Sequence, residues 1–252
     1  MKMFEKDLLK VSVFETRREM GQAAAAEIEK AIAEVLRKKE VCNMIFAAAP
    51  SQNEVLEALA ASDTIQWNRV NAFHMDEYIG LPADAPQGFA NFLRRALFDR
   101  VPFASVNCLN STASPEDEIK RYTALLQENP TDIVVMGVGE NGHVAFNDPH
   151  VARFDDPALV KCVELDDTCR MQQVHDGCFA SLDAVPKTAL TLTVPALCAA
   201  KEAFCIVPGP TKAKAIGRML KGPVEEACPA SVLRRHASAV LYLDADSAAS
   251  LN

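Results

Sequence analysis

The sequence predicts an α/β fold, with a mostly parallel sheet covered by helices on both faces, in one domain spanning residues 1–252. Three observations carry that expectation. Short apolar, β-branched runs alternate with stretches of helical periodicity along the whole chain. No low-complexity linker, charge block or internal repeat interrupts the alternation. A glycine-rich turn at 137–149 follows one of the apolar runs, and in open α/β sheets ligands sit at the carboxyl ends of strands.

The elements follow in order. Val11-Ser12-Val13-Phe14 reads as a short strand. Residues 16–38 read as a long helix, with apolar positions recurring at Met20, Ala23, Ala24, Ile28, Ala31, Ile32 and Val35. Residues 42–49 form a buried strand and 52–62 a helix. Residues 69–73 form a strand that runs into a Pro- and Gly-bearing loop up to about residue 88. Helices are expected at 89–99 and 115–127, with a strand near 106–109 between them. Residues 131–136 have the length and β-branching of a buried strand. Strands near 159–164, at 189–194 and at 203–207 come next. Helices at 211–220 and 229–235 and a strand at 239–243 complete the pattern.

Composition narrows the function classes. The 252 residues are 49% hydrophobic and 24% charged, ordinary for a soluble globular chain. A net charge of −8 argues against nucleic acid or an anionic membrane as partner, so a bound anion would need local cations. The first residues, Met1-Lys2-Met3-Phe4-Glu5-Lys6-Asp7, contain no signal-peptide core, and no run approaches the roughly 18 apolar residues of a membrane span. A cytoplasmic location is expected. The eight cysteines show no C-x-x-C pairing and several sit in apolar runs, which predicts buried thiols rather than zinc or disulfides.

Chemistry concentrates at strand ends. The turn Gly137-Val138-Gly139-Glu140-Asn141-Gly142-His143-Val144-Ala145-Phe146-Asn147-Asp148-Pro149 displays an imidazole (His143), an amide (Asn141) and a carboxylate (Asp148). A histidine there is placed for proton transfer. In Met75-Asp76-Glu77-Tyr78-Ile79-Gly80-Leu81, two adjacent carboxylates follow a strand. One can act on a substrate while the other makes structural hydrogen bonds; the plainer alternative is that both cap a turn.

The loop Ala47-Ala48-Ala49-Pro50-Ser51-Gln52-Asn53-Glu54 lies where strand-to-helix turns often bind phosphate. It lacks glycine, and Ser51 with Glu54 has the spacing of a capping box. Lys212, after Gly209-Pro210-Thr211, sits at a helix start where the dipole does not favour it, which points to a ligand role. Arg170 is a second candidate anion clamp. His74 reads as a core residue, and His150, His175 and His236 as surface or packing residues.

These motifs resemble the signatures of the glucosamine-6-phosphate deaminase/isomerase family. Val185-Pro186-Lys187-Thr188-Ala189-Leu190-Thr191 and the Gly-x-x-Lys ending at Lys212 are also similar, and the likeness runs from about residue 10 to 245. The resemblance implies a Rossmann-like sheet and conversion of an amino sugar phosphate to a ketose phosphate and ammonia, without metal or nucleotide cofactor. It implies that Asp76 moves a proton between C1 and C2 through an enediol-type intermediate. His143 would open the sugar ring, oriented by Asn141 and Asp148, and Ser51, Gln52, Gly139, Arg170 and Lys212 would bind the substrate.

The chain departs from the family pattern in four places, the first being that no arginine after the Asp-Thr segment aligns with the family's phosphate-binding one, so that Arg170 stands only as its substitute. Ala-Ala-Ala-Pro-Ser-Gln stands at 47–52 where Pro-Thr-Gly-Gly-Thr-Pro is usual. Asn141 stands where some members carry Asp. Asp148 stands for the usual Glu, which predicts a carboxylate retracted by roughly 1 Å. The expected partner is a small phosphorylated sugar, glucosamine 6-phosphate or galactosamine 6-phosphate, and a homo-oligomer is left open. Two other readings compete: lactone hydrolysis of the 6-phosphogluconolactonase type, and sugar-phosphate binding without turnover.

Overall fold

The computed structural model describes residues 1–251. Eight strands form one sheet in the order β1-β2-β11-β10-β7-β3-β4-β6. Their ranges are β1 Lys2–Lys6, β2 Leu9–Phe14, β3 Cys42–Phe46, β4 Val70–His74, β6 Ser105–Asn107, β7 Ile133–Met136, β10 Glu202–Val207 and β11 Ala239–Asp244. All pairings are parallel except the β1–β2 hairpin. The expected architecture is therefore present: a mostly parallel α/β sheet with helices on both faces.

Burial on both faces explains the continuous apolar runs. In β7, Ile133 and Val135 join the core on one face while Val134 and Met136 join the other. The long helix α1 (Arg17–Lys38) and α2 (Asn53–Ala60) cover the first face, together with α3 (Phe89–Leu93), which continues as a π-helical turn over Arg94–Phe98. On the opposite face lie α4 (Pro115–Glu128), α6 (Val194–Cys198) and α7 (Ala213–Lys221). Thr16 caps α1 and Ser114 caps α4, each accepting from the third residue on.

A second, three-stranded antiparallel sheet, β5-β9-β8, departs from the sequence expectation. It consists of β5 (Asp76–Tyr78), β9 (Thr188–Leu192) and β8 (Val160–Glu164). β5 lies inside the stretch expected to be loop. The edge strand β1 and the helices α5 (Asp167–His175) and α6 are further additions, and the segment 229–235 forms a 3₁₀ rather than an α-helix.

The strand order fixes where a ligand can enter. After β3 the chain moves outward to β4 and β6, whereas after β7 it moves the other way to β10 and β11. The carboxyl ends of β3 and β7 thus splay their loops apart at a topological switch point, where open α/β sheets leave a crevice. The β3 loop is 47–52 and the β7 loop begins at Gly137.

Candidate active site

A cavity occupies that switch point. It is lined by Ala47, Ala48, Ala49, Ser51 and Gln52 from the β3 loop, Met75 and Asp76 from the β4–β5 junction, and Gly137, Val138, Gly139 and His143 from the β7 turn. Ala145, Phe146, Phe89, Gln172, Gln173 and Lys212 complete it.

His143 is held by its own turn. Its backbone N–H donates to Asn141 Oδ1 at 2.9 Å, and its Nδ1 lies 3.0 Å from Asp148 Oδ1 in a bent contact. Asp148 is fully buried and also accepts from Asn141 Nδ2 at 2.9 Å and from the Asp166 N–H at 3.2 Å. Burial opposes its charge, but His143, Asn141 and the Asp166 amide outweigh burial and hold the carboxyl below its ordinary range. The one-methylene shortening expected to retract this carboxylate does not open a gap, because the turn brings it within contact distance. Gly139 is required by the same packing: a methyl group there would fall on the imidazole ring. Gly142 supplies a φ of +92°, and Ala145 adopts a left-handed φ of 48° at the cavity wall.

Asp76 and Glu77 face different surroundings. Glu77 accepts from the N–H groups of Tyr78, Phe89 and Ala90 at 2.8–3.0 Å, tying β5 to the start of α3. Asp76 is 6% exposed and faces the cavity. Burial pushes its carboxyl up to about 8, with His74 opposing the rise and Glu77 adding to it. His74 is fully buried beneath it, its Nε2 3.7 Å from Glu77 Oε2.

The small sheet joins the two halves of the site. Asp76 in β5 pairs with Thr191 in β9, and the Thr191 hydroxyl accepts the Phe146 N–H at 3.0 Å. Asn147 donates to the Leu192 carbonyl at 2.8 Å.

The proposed anion-binding residues do not all converge. Lys212 lines the cavity, is 4% exposed, and has no salt-bridge or hydrogen-bond partner for its ammonium group among the described residues. Burial lowers its pKa, with Asp176 and Glu140 acting against that. Gln52 is fully buried, donates to the Ile206 carbonyl at 3.1 Å and leaves its Oε1 without a partner.

Arg170 does not reach the cavity. It donates to the carbonyls of Leu182 at 2.7 Å and Val185 at 3.1 Å and to Asp167, so its guanidinium ties α5 to the following segment. The capping box is also absent. Glu54 is turned to Arg17, which grips both its oxygens at 2.9 Å, while Ser51 accepts from Gln52.

Gln172 and Gln173, on the buried face of α5, were not singled out by the sequence. Gln172 accepts the Glu140 N–H at 2.8 Å, whereas the Gln173 side chain has no partner among the described residues. Only the position of α5, which sequence periodicity does not reveal, brings them to the site.

His143, Asp148 and Cys169 place one potential ligand atom each within 4.8 Å of one another. Burial, with Asp148 and Asp166, raises the Cys169 thiol well above its ordinary pKa.

Among known proteins, the family described as glucosamine-6-phosphate isomerases/6-phosphogluconolactonase matches residues 15–242. Glucosamine-6-phosphate deaminases of Bacillus thuringiensis and Bacillus anthracis are 32% identical over 240 residues, covering 95% of this chain and 88% of theirs. A solved monomeric glucosamine-6-phosphate deaminase superposes with a TM-score of 0.87 at 26% identity, covering 95% of this chain and 99% of that one. The 6-phosphogluconolactonase of Thermotoga maritima gives a TM-score of 0.77 at 20% identity, covering 94% and 99%, a likeness of fold alone.

Proposed function

Because the chain belongs to the glucosamine-6-phosphate isomerase/6-phosphogluconolactonase family, we propose that it catalyses the deaminating aldose–ketose isomerisation of an amino sugar phosphate. The observation that carries the reading is the convergence, on one cavity, of two proton-transfer groups held on separate strands. One is an imidazole backed by an ionised carboxylate and the other is a buried carboxyl of raised pKa.

In this reading His143 uses the nitrogen turned away from Asp148 to take the anomeric hydroxyl proton. The C1–O5 bond breaks and the proton returns to the ring oxygen, giving the open aldehyde. Asp148 then bears the charge that develops on the imidazole. Asp76 removes the proton from C2, and the electron pair forms the enediol-type intermediate with oxygen at C1 and nitrogen at C2. Return of a proton to C1 gives a C2 imine, and water replaces its nitrogen to yield ketose phosphate and ammonia. A carboxylate whose pKa is raised is a stronger base for a C–H proton, which suits Asp76 to the second step. Lys212, with Ser51, Gln52 and the α5 carboxamides, would hold the anionic end.

The test is ammonia release from glucosamine 6-phosphate and from galactosamine 6-phosphate, with 6-phosphogluconolactone hydrolysis followed in parallel. Ammonia release without lactone hydrolysis is expected. Lactone hydrolysis without ammonia would overturn the reading, as would a His143→Ala variant of unchanged turnover.

A further inference from the structure

His74 reads in sequence as a core residue, and the structure buries it completely at the end of β4. Its surroundings are not those of a packing residue. Its Nε2 lies 3.7 Å from Oε2 of Glu77, itself 2% exposed. Glu77 accepts two N–H groups on one oxygen and one on the other, the acceptor-only pattern of a carboxylate. Among the described residues no lysine or arginine pairs with that carboxylate, and His74 is the basic group within reach. Neither ring nitrogen of His74 makes a hydrogen bond there, so no donor holds the lone pair of a neutral imidazole. Buried charges persist when paired, and the pairing available is imidazolium with carboxylate.

Asp76 lies between these two residues in sequence. The other titratable groups against His74 are Cys108, just after β6, and Tyr122 of α4. The Tyr122 hydroxyl takes the His74 N–H and donates to its carbonyl, which fixes the backbone. Arg121, over the Tyr122 ring, is claimed by Glu118 and the Cys108 carbonyl. Without a charged His74, an ionised Asp76 would put a second buried negative charge beside that of Glu77. With it, the three groups together carry one.

We propose that His74 is an electrostatic positioning residue, an imidazolium that cancels the charge of Glu77 and so lets Asp76 ionise to abstract the substrate proton. Burial opposes the charged ring, but contacts with Cys108 and Glu77 outweigh it and lift the pKa to about 10. The pair therefore holds over the range in which Asp76 titrates. The inference rests on reading Asp76 as the base of the deaminating isomerisation.

The experiment follows kcat/KM for ammonia release from glucosamine 6-phosphate against pH in the wild type, in His74→Gln, and in His74→Gln combined with Glu77→Gln. Loss of the imidazolium should move the acid limb up by about one pH unit or more, and so cut the rate at pH 7 by roughly tenfold. Removing the Glu77 charge as well should bring the limb back toward its wild-type position. Nitrogen-15 NMR of the intact wild type reads His74 directly, and both ring nitrogens should be protonated at pH 8. Carbon-13 NMR of the Asp76 carboxyl locates its titration without any substrate, and His74→Gln should raise it.

A neutral His74 at pH 8 would overturn the inference, whether or not the variants fold. So would an acid limb and an Asp76 titration left unmoved by His74→Gln, or a raised limb that Glu77→Gln does not bring back. Absence of ammonia release from any amino sugar phosphate would overturn the deaminase reading instead, with the two NMR titrations still deciding the charge of His74 and its effect on Asp76.

Discussion

Replacing Asp76 by Asn keeps the shape of the side chain and removes its charge, so it separates chemistry from packing. Burial pushes the Asp76 carboxyl up to about 8, against an ordinary aspartate value of 3.8. Between those values the folded protein holds a proton that the unfolded chain has released. Stability therefore falls as pH rises, by about 1.4 kcal/mol per pH unit. Between pH 5 and pH 8 that slope accumulates to at most about 4 kcal/mol, and above pH 8 it levels off because both states are ionised.

Asp76→Asn removes this carboxyl's share of the slope. The share of His74 remains: against burial, contacts with Cys108 and Glu77 raise its pKa to about 10, and the stability this gives is lost above its ordinary value of 6.5. The variant's stability advantage over the wild type should widen steadily from pH 5 to pH 8, while ammonia release falls on the order of 1,000-fold. Urea unfolding of both proteins at four pH values, with m-values compared to confirm equal exposed surface, measures the first effect. Wild-type kcat/KM should also climb through the same pH range as the base loses its proton. A stability difference that stays flat from pH 5 to pH 8 would refute the claim that the fold holds this carboxyl protonated.

Two further substitutions address the supports of the site. Gly139→Ala should drive the imidazole from its place and cut turnover on the order of 100-fold, with a circular dichroism spectrum like that of the wild type. Full activity in that variant would show that the ring has room to spare. Arg170→Ala strands the Leu182 and Val185 carbonyls, at a cost of about 1–3 kcal/mol. Differential scanning calorimetry should show a melting temperature lower by about 2–4 °C for each kcal/mol lost, and an unchanged one would remove the structural role assigned to it.

The alternation of strands and helices was legible because two-sided burial leaves continuous apolar runs and the covering helices keep a 3.6-residue stripe. α5 was not. Its buried face is Cys169, Arg170, Gln172 and Gln173, so the residues turned inward are mostly polar and carry no apolar period. β5 is three residues long and includes two carboxylates, which in sequence read as a turn. The cluster at 137–149 and Asp76 were readable because glycine spacing and strand-end position are local features. Arg170 misled because local sequence reveals a cation but not the carbonyls, 12 and 15 residues further on, that it serves. Glu54 likewise looked like a cap partner, and only the tertiary approach of α1 shows that Arg17 claims it.

The Thr191 link between β5 and the β7 turn has a mechanical consequence. One residue pairs with Asp76 through its backbone and fixes Phe146 through its hydroxyl, with His143 three residues before Phe146. Asp76 and His143 are therefore tied to a common brace, whereas Lys212 and the α5 glutamines belong to other elements. Motion of α5 against the large sheet would resize the part of the cavity lined by Gln172 and Gln173 while leaving the separation of Asp76 and His143 nearly invariant. In such a layout substrate preference can drift across a lineage, by substitutions on α5, with the reaction itself conserved.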